Sequence, residues 1–334
     1  SACLVGSEMC IRDSGYTSDS TYGHALLVGL VNTLIVAGTG VVFATILGFI
    51  VGLGRLSHNF VVRSMATAYV EIFRNIPPLL VILFWYFGVL AVLPLPRQAI
   101  EFPGEVYLSN RGLQTPIAVW GDLAWMTGVA LLAGIALTFI LGRIFRAQQM
   151  KTGKRRKLWP IALGLIVALP LVVFLATGMP ATLETPTRGT FNLTGGFQIR
   201  PEFLAIFLAL SVYTASFIAE IVRAGVLAVS KGQSEAAASL GLRRNLALRL
   251  VIVPQALRVI IPPLTSQYLN LTKNSSLGLA IGYPDLVAVG STVLNQSGQS
   301  IEVVMIWMTV YLGLSLTVSI LMNWFNRRMR LVER

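Results

Sequence analysis

Runs of apolar residues long enough to cross a lipid bilayer leave this chain few folds to choose from. A hydrocarbon core of about 30 Å is spanned by roughly 20 helical residues. Seven stretches approach that length: 24–54, 64–93, 122–142, 159–179, 202–229, 258–281 and 301–325. No water satisfies peptide groups inside a bilayer, so such stretches must close their backbone hydrogen bonds internally as helices. The expectation is an all-α polytopic membrane protein of about seven transmembrane helices. Composition agrees: 12% of the 334 residues are charged, against about 25% in a soluble domain. Two stretches are interrupted. The second holds Glu71, Arg74 and the Pro77–Pro78 pair, and the sixth holds Pro262, Pro263 and Lys273. Both are expected to face the interior of a bundle, where protein or water satisfies the freed groups.

The net charge of +12 is informative through its distribution. With the loop at 55–63 inside, that side collects Arg55, Arg63, Arg143, Arg146, Lys151, Lys154, Arg155, Arg156, Lys157, Arg223, Lys231, Arg243, Arg244, Arg249, Arg258, Arg327, Arg328, Arg330 and Arg334. The other side holds Arg12, Arg97, Arg111, Arg188 and Arg200. Nineteen against five is the bias that places the cation-rich loops and the C-terminus in the cytoplasm. Charges gathered in alternate loops also differ from the basic stripe of a nucleic-acid-binding domain. Cys3 and Cys10 both lie in the first ten residues and supply neither a disulfide framework nor metal-ligand spacing. Segment 1–21, which opens "SACLVGSEMCIRDS", is expected to be non-native or disordered, with native sequence, including a first span, lost upstream. Residues 22–328 are expected to form one transmembrane domain, with two extra spans and a basic linker at 94–200, and 329–334 a cytoplasmic tail. The outer loops, 94–121 and 180–201, read as ordinary connectors rich in Pro, Gly, Thr and Asn.

One stretch, "QSEAAASLGLRRNLALRLVIVPQAL" (233–257), is unlike its surroundings. Ser230-Lys-Gly-Gln233 has the spacing of a capping box, with Ser234 a second N-cap candidate. Glu235 suits the positive end of a helix, and Ala236, Ala237 and Ala238 build a thin one. Gly241 can take the left-handed conformation that closes it. Arg243, Arg244 and Arg249 suit acidic partners or lipid phosphates, and Pro254 is expected to break or kink the return to the bilayer. A plain re-entry loop with positive-inside arginines has the same local features.

Taken together, Glu-Ala-Ala, Gly241 four residues after Ala237 and Pro254 thirteen residues later resemble the signature loop of ATP-binding-cassette importer permeases. "YVEIFRNIPPLLVILFWYFGVL" (69–90) and "SFIAEIVRAGVLAVSKGQSEAA" (216–237) look like two hallmark segments of the amino-acid branch. "LTSQYLNLTKNSSLGLAIGYPDL" (264–286) is similar to permeases for polar or general L-amino acids. The likeness covers about residues 22–328, and the extra spans at 94–200 match the longer, general type. It implies the importer permease fold with a cytoplasmic coupling helix in a bacterial inner membrane. Glu235, Ala236, Ala237, Gly241, Arg243 and Pro254 would carry the coupling to ATPase subunits. It also implies a second, related permease chain, an external binding protein and an L-amino acid substrate.

No G-x-x-x-x-G-K-[ST] loop is present, Gly153-Lys154 being followed by Arg155, so ATP and Mg are expected on a partner and no cofactor on this chain. His24 and His58 stand at opposite ends of the first span, too far apart to form a metal site or a catalytic pair, so the chain is not expected to be an enzyme. Ionisable residues within spans are functional candidates. Glu71 with Arg74, and Glu220 with Arg223, are three apart and could neutralise each other on one helix face or hold helices together. A zwitterionic amino acid needs donors for its carboxylate and acceptors for its ammonium. Lys273, Asn274 and Ser275 could donate, and Glu220, Asn270 and Tyr213 accept; Glu71 completes the candidate substrate pathway. The same groups could instead hydrogen-bond across the bundle. A rival class, an ion-gradient-driven secondary transporter or channel, would need a midplane ion site and often inverted repeats, and neither is visible in the sequence.

Overall fold

The computed structural model describes residues 21–152, 158–179, 181–189 and 192–329. The segment 1–21 apart from Thr21, the cations Lys154, Arg155, Arg156 and Lys157, and the tail beyond Met329 lie outside the described residues.

The helices are α1 (Tyr22–Gly54), α2 (Phe60–Asn75), α3 (Pro78–Leu83), α4 (Ala124–Thr152), α5 (Trp159–Leu163), α6 (Leu169–Ala176) and α7 (Pro201–Leu227). They continue with α8 (Lys231–Ser239), α9 (Arg244–Ala247), α10 (Val253–Asn274), α11 (Leu286–Ser297) and α12 (Ser300–Met329). Among the described residues six helical stretches are long and apolar enough to cross a membrane, or seven if α2 and α3 with its π-helical extension count as one. That proviso corrects the second expected span, 64–93, because the chain bends by 109° between Asn75 and Pro78. Pro77 forces Ile76 out of the helical region, to φ −104° and ψ 133°, and Pro78 then starts a new helix with φ already suited to it.

Pro254 behaves differently from the expectation of a break. The five residues Leu248–Ile252 form a π turn that absorbs the mismatch, and Pro254 follows directly after it while the backbone stays helical. Pro262 and Pro263 likewise sit inside α10 without ending it. A 3-10 segment, Ser275–Ile281, then continues α10 to Gly282, left-handed at φ 77°.

Two compact units are present. The first takes the described residues up to Gln98, Ser109–Leu113 and those from Ile199 onward, and the second takes Ala99–Leu108 and Gln114–Gln198. In the first unit α1 packs along α7. Gly48 and Gly52 make this possible: a Cβ at Gly48 would lie 2.6 Å from Ile218, and one at Gly52 would lie 2.8 Å from the Ala219 carbonyl. The apolar core around this seam includes Val36, Ala44, Ile206, Leu210, Ile218, Ile260 and Leu271. Gly278 and Gly282 have the same four-residue spacing but separate roles, Gly278 packed under Ile206 while Gly282 serves the turn.

The link from the 3-10 segment to α11 is bolted to α1. Asn32 Nδ2 donates to the Pro284 carbonyl at 2.9 Å, the Tyr283 hydroxyl donates to the Asn32 carbonyl at 3.0 Å, and the Leu286 N–H donates to Thr33 Oγ1 at 3.1 Å. Asp285 caps α11 by accepting from the Ala288 N–H at 2.8 Å, and Trp307 of α12 donates to the Leu286 carbonyl.

The second unit holds α4, α5 and α6, with Gly134 of α4 pressed against the π turn after α5. Its flanks correct the connector expectation for 94–121 and 180–201, which hold the short strands β1 (Ile100–Phe102), β2 (Val106–Ser109), β3 (Gly112–Thr115), β4 (Ile117–Trp120), β5 (Ala181–Glu184), β6 (Thr187–Arg188), β7 (Leu193–Thr194) and β8 (Phe197–Ile199). β4 and β5 pair antiparallel with Trp120 opposite Ala181. Arg188 reaches Glu101 at 3.0 Å.

Candidate functional site

Helix α8 is short and free. Every residue of it is exposed except Ala237, at 3%. Ser230 is the N-cap, but its side chain makes no capping hydrogen bond, so the capping box is present in spacing only. Gln233 turns instead to Gln255, whose Nε2 donates to it at 3.0 Å and ties α8 to the start of α10. The C-terminal end is closed as expected. Gly241 takes φ 72°, its N–H reaches the Ala238 carbonyl at 2.9 Å, and the Leu242 N–H reaches the Ala237 carbonyl at 3.1 Å. These two bonds satisfy carbonyls that a helix end otherwise leaves bare. Glu235, Ala236, Gly241 and Arg243 all face outward on this knob, and Pro254 sits half-buried at the root of α10. Leu240, 81% exposed at the tip, is a residue the sequence reading passed over.

The polar groups of α10 divide by face. Ser266, Asn270 and Lys273 are exposed and recur at helical spacing, so they form one open stripe, with Asn274 half-buried beside it. Ser275 is fully buried and spends its hydroxyl on the Thr272 carbonyl at 2.8 Å. An ammonium on an open helix face within an apolar span is untenable against lipid alone, so this stripe has to be covered by protein or to line water.

On α7, Tyr213 is half-buried and packs against Phe217, ring centroids 5.1 Å apart. Glu220 is the hub of an ion cluster. Its Oε1 accepts from Arg223 at 2.7 Å, its Oε2 pairs with Arg55 at the end of α1, and Arg74 of α2 lies 3.8 Å from Oε2. The Glu220–Arg223 pair thus forms as its spacing suggests. The Glu71–Arg74 pair does not: Arg74 turns toward Glu220 and lies over the Phe217 ring at 5.5 Å, and Glu71 makes no ion pair among the described residues. Asn270, a proposed acceptor, shares the open stripe of α10 with the proposed donor Lys273, and no hydrogen bond joins Tyr213 or Glu220 of α7 to either of them among the described residues. Arg55 was legible only as a positive-inside cation; nothing local marks it as a partner of Glu220, 165 positions away.

A sequence-family comparison gives a match over residues 160–331 to the inner membrane component of binding-protein-dependent transport systems. The chain belongs to that family. Among its relatives, the general L-amino acid transport system permease protein AapQ of Rhizobium johnstonii is 58% identical, covering 96% of this chain and 80% of that protein. The putative amino-acid ABC transporter permease protein YhdX of Escherichia coli is 53% identical, covering 96% and 81%. Among solved structures, a chain from the crystal structure of an amino acid ABC transporter with histidines superposes with a TM-score of 0.55 at 21% identity, covering 92% of this chain and 95% of that one. That likeness establishes a shared permease fold. This family member is therefore a multi-pass inner membrane protein.

Proposed function

We propose that this chain is a permease subunit of an ATP-driven importer that moves L-amino acids, of broad or polar range, across a bacterial inner membrane. Its loops rich in Lys and Arg and its C-terminus face the cytoplasm. ATP and Mg belong to two ATPase subunits, into which α8 docks through Glu235, Ala236, Leu240 and Gly241, with Ala237 packing its inner side, Arg243 at the rim and Pro254 setting the root. A periplasmic binding protein delivers the amino acid, and a second, related permease chain covers the open stripe of α10. The observation that carries this reading is α8 itself, a thin exposed helix closed by a left-handed glycine and tied to α10. The amino-acid cargo is supported by the kinship with AapQ and YhdX.

Uptake of labelled amino acid into proteoliposomes of the purified complex, with binding protein outside and ATP inside, tests it. We expect uptake to require ATP and to ignore an imposed ion gradient; uptake driven by a gradient without ATP would favour the secondary-transporter reading. Gly241→Asp should lose at least tenfold in rate, about 1.4 kcal/mol of coupling, while still inserting into membranes.

A further inference from the structure

We propose that Arg55, Arg74 and Arg223 form a headgroup site for an anionic lipid of the cytoplasmic leaflet, a site that rests on the proposed inward orientation of the Gly54 end of α1. Three guanidinium groups converge there on one carboxylate, Glu220, leaving a surplus of two positive charges (3 − 1). Counting Glu71, which pairs with none of them among the described residues, still leaves one. The cluster is also unevenly satisfied. Arg55 is almost wholly enclosed and Arg223 holds Glu220 closely, yet the buried Nε of Arg223 has no partner among the described residues. Arg74 keeps only the long 3.8 Å approach to Glu220 and is 40% exposed. Donors that are positive, fixed by packing and incompletely used are what an oxyanion needs.

The helix that brings Arg74 supplies the second half of the argument. Helix α2 starts beside the end of α1, where Gly54 faces Val62 and Ala66, and its far end reaches Glu220 through Arg74. It therefore runs from the end of α1 onto the side of α7. Its Val70 is buried and Tyr69 is anchored to the Val212 carbonyl at 2.6 Å, so one face is fixed to the protein. A second face exposes Val61, Met65 and Ile72, and a third carries Arg63, Glu71 and Arg74. Positions 61, 65 and 72 fall on a single stripe at helical spacing. A helix with an open apolar stripe on the side turned away from its arginines lies in the membrane interface, its apolar side toward the acyl chains and its basic side toward the headgroups. Basic pockets between spans at a cytoplasmic surface recruit acidic headgroups. Guanidinium groups that hold a headgroup phosphate, with Val61, Met65 and Ile72 turned into the acyl layer, would use both sides of α2, whereas a soluble anion would use only the charges.

Native mass spectrometry of the delipidated complex, offered phosphatidylglycerol and phosphatidylcholine in competition, reads the site without any transport step. Wild type should retain phosphatidylglycerol in preference, Arg74→Gln should lower that preference by about fivefold, and Arg74→Lys and Arg97→Gln should keep it. Equal retention of the two lipids by wild type, or an unchanged preference in Arg74→Gln, overturns the proposal. So does retention of glycerol 3-phosphate or glutamate in place of the lipid, since the source of the anion would then be solution. If the lipid preference persists in a complex whose uptake proves independent of ATP, the transport reading fails and the headgroup site stands.

Discussion

At the scale of single residues, Asp285 carries the clearest consequence. Its carboxyl is fully buried, Oδ1 capping α11 while Oδ2 has only the Tyr311 hydroxyl of α12 near it, outside good hydrogen-bond geometry. Burial pushes its pKa up to about 6 from an ordinary 3.8, against the pull of the backbone N–H groups of Ala288 and Val287. A folded-state pKa above the unfolded value means that the fold binds the proton more tightly than the open chain does. The neutral carboxyl therefore favours the fold at low pH, and that advantage is lost as pH rises from about 4 to about 6, on the order of 3 kcal/mol in all. The apparent melting temperature of the complex in detergent should fall between pH 5 and pH 7, and Asp285→Asn, which keeps a good N-cap, should flatten that slope. An equal slope in the variant would place the titration elsewhere. In the sequence Asp285 reads as one acid in a turn; its burial depends on Asn32 and Thr33, some 250 positions earlier, bracketing it from α1.

Among the elements, the α1–α7 seam is the most sharply determined. A Cβ at Gly48 would meet Ile218 at 2.6 Å and the Ala215 carbonyl at 3.0 Å, so Gly48→Leu must prise the two helices apart. Overpacking of that kind costs about 1–3 kcal/mol, and the variant should accumulate less in membranes and melt at a lower temperature than Gly38→Leu, whose site opens onto empty space. If both variants match wild type, the seam is not under constraint. The long spans were legible because an apolar run of that length has one physical solution. The strands were not, since β1 to β8 are two to four residues long, too short to show an alternating pattern. Helix α8 was legible from its alanines and Gly241, but its capping box was misleading, because Gln233 found a better partner in Gln255. Spacing likewise suggested two ion pairs on two helices, and tertiary packing merged Arg74 into the cluster on Glu220.

For the molecule as a whole, the open stripe Ser266, Asn270 and Lys273 states what the chain lacks by itself. Polar groups on a span must meet water or protein, and the proposed second permease chain together with an aqueous path would supply both. With Cys3 and Cys10 replaced by Ser, Asn270→Cys in the reconstituted complex should react with a membrane-impermeant maleimide. Leu316→Cys, on the exposed apolar stripe Leu312, Leu316 and Ile320 of α12, should not. Protection of both positions would mean that the stripe is sealed by protein and carries no water.

Because the π turn at Leu248–Ile252 accommodates Pro254, helical backbone continues from Arg244 to Asn274, a run of about 46 Å by helical rise. Gln233 and Gln255 pin its near end to α8. A tug delivered at the knob is thus conveyed along continuous helix to the turn that bears Lys273, with the wider π coil and the Pro262–Pro263 pair as the places where its pitch can slip.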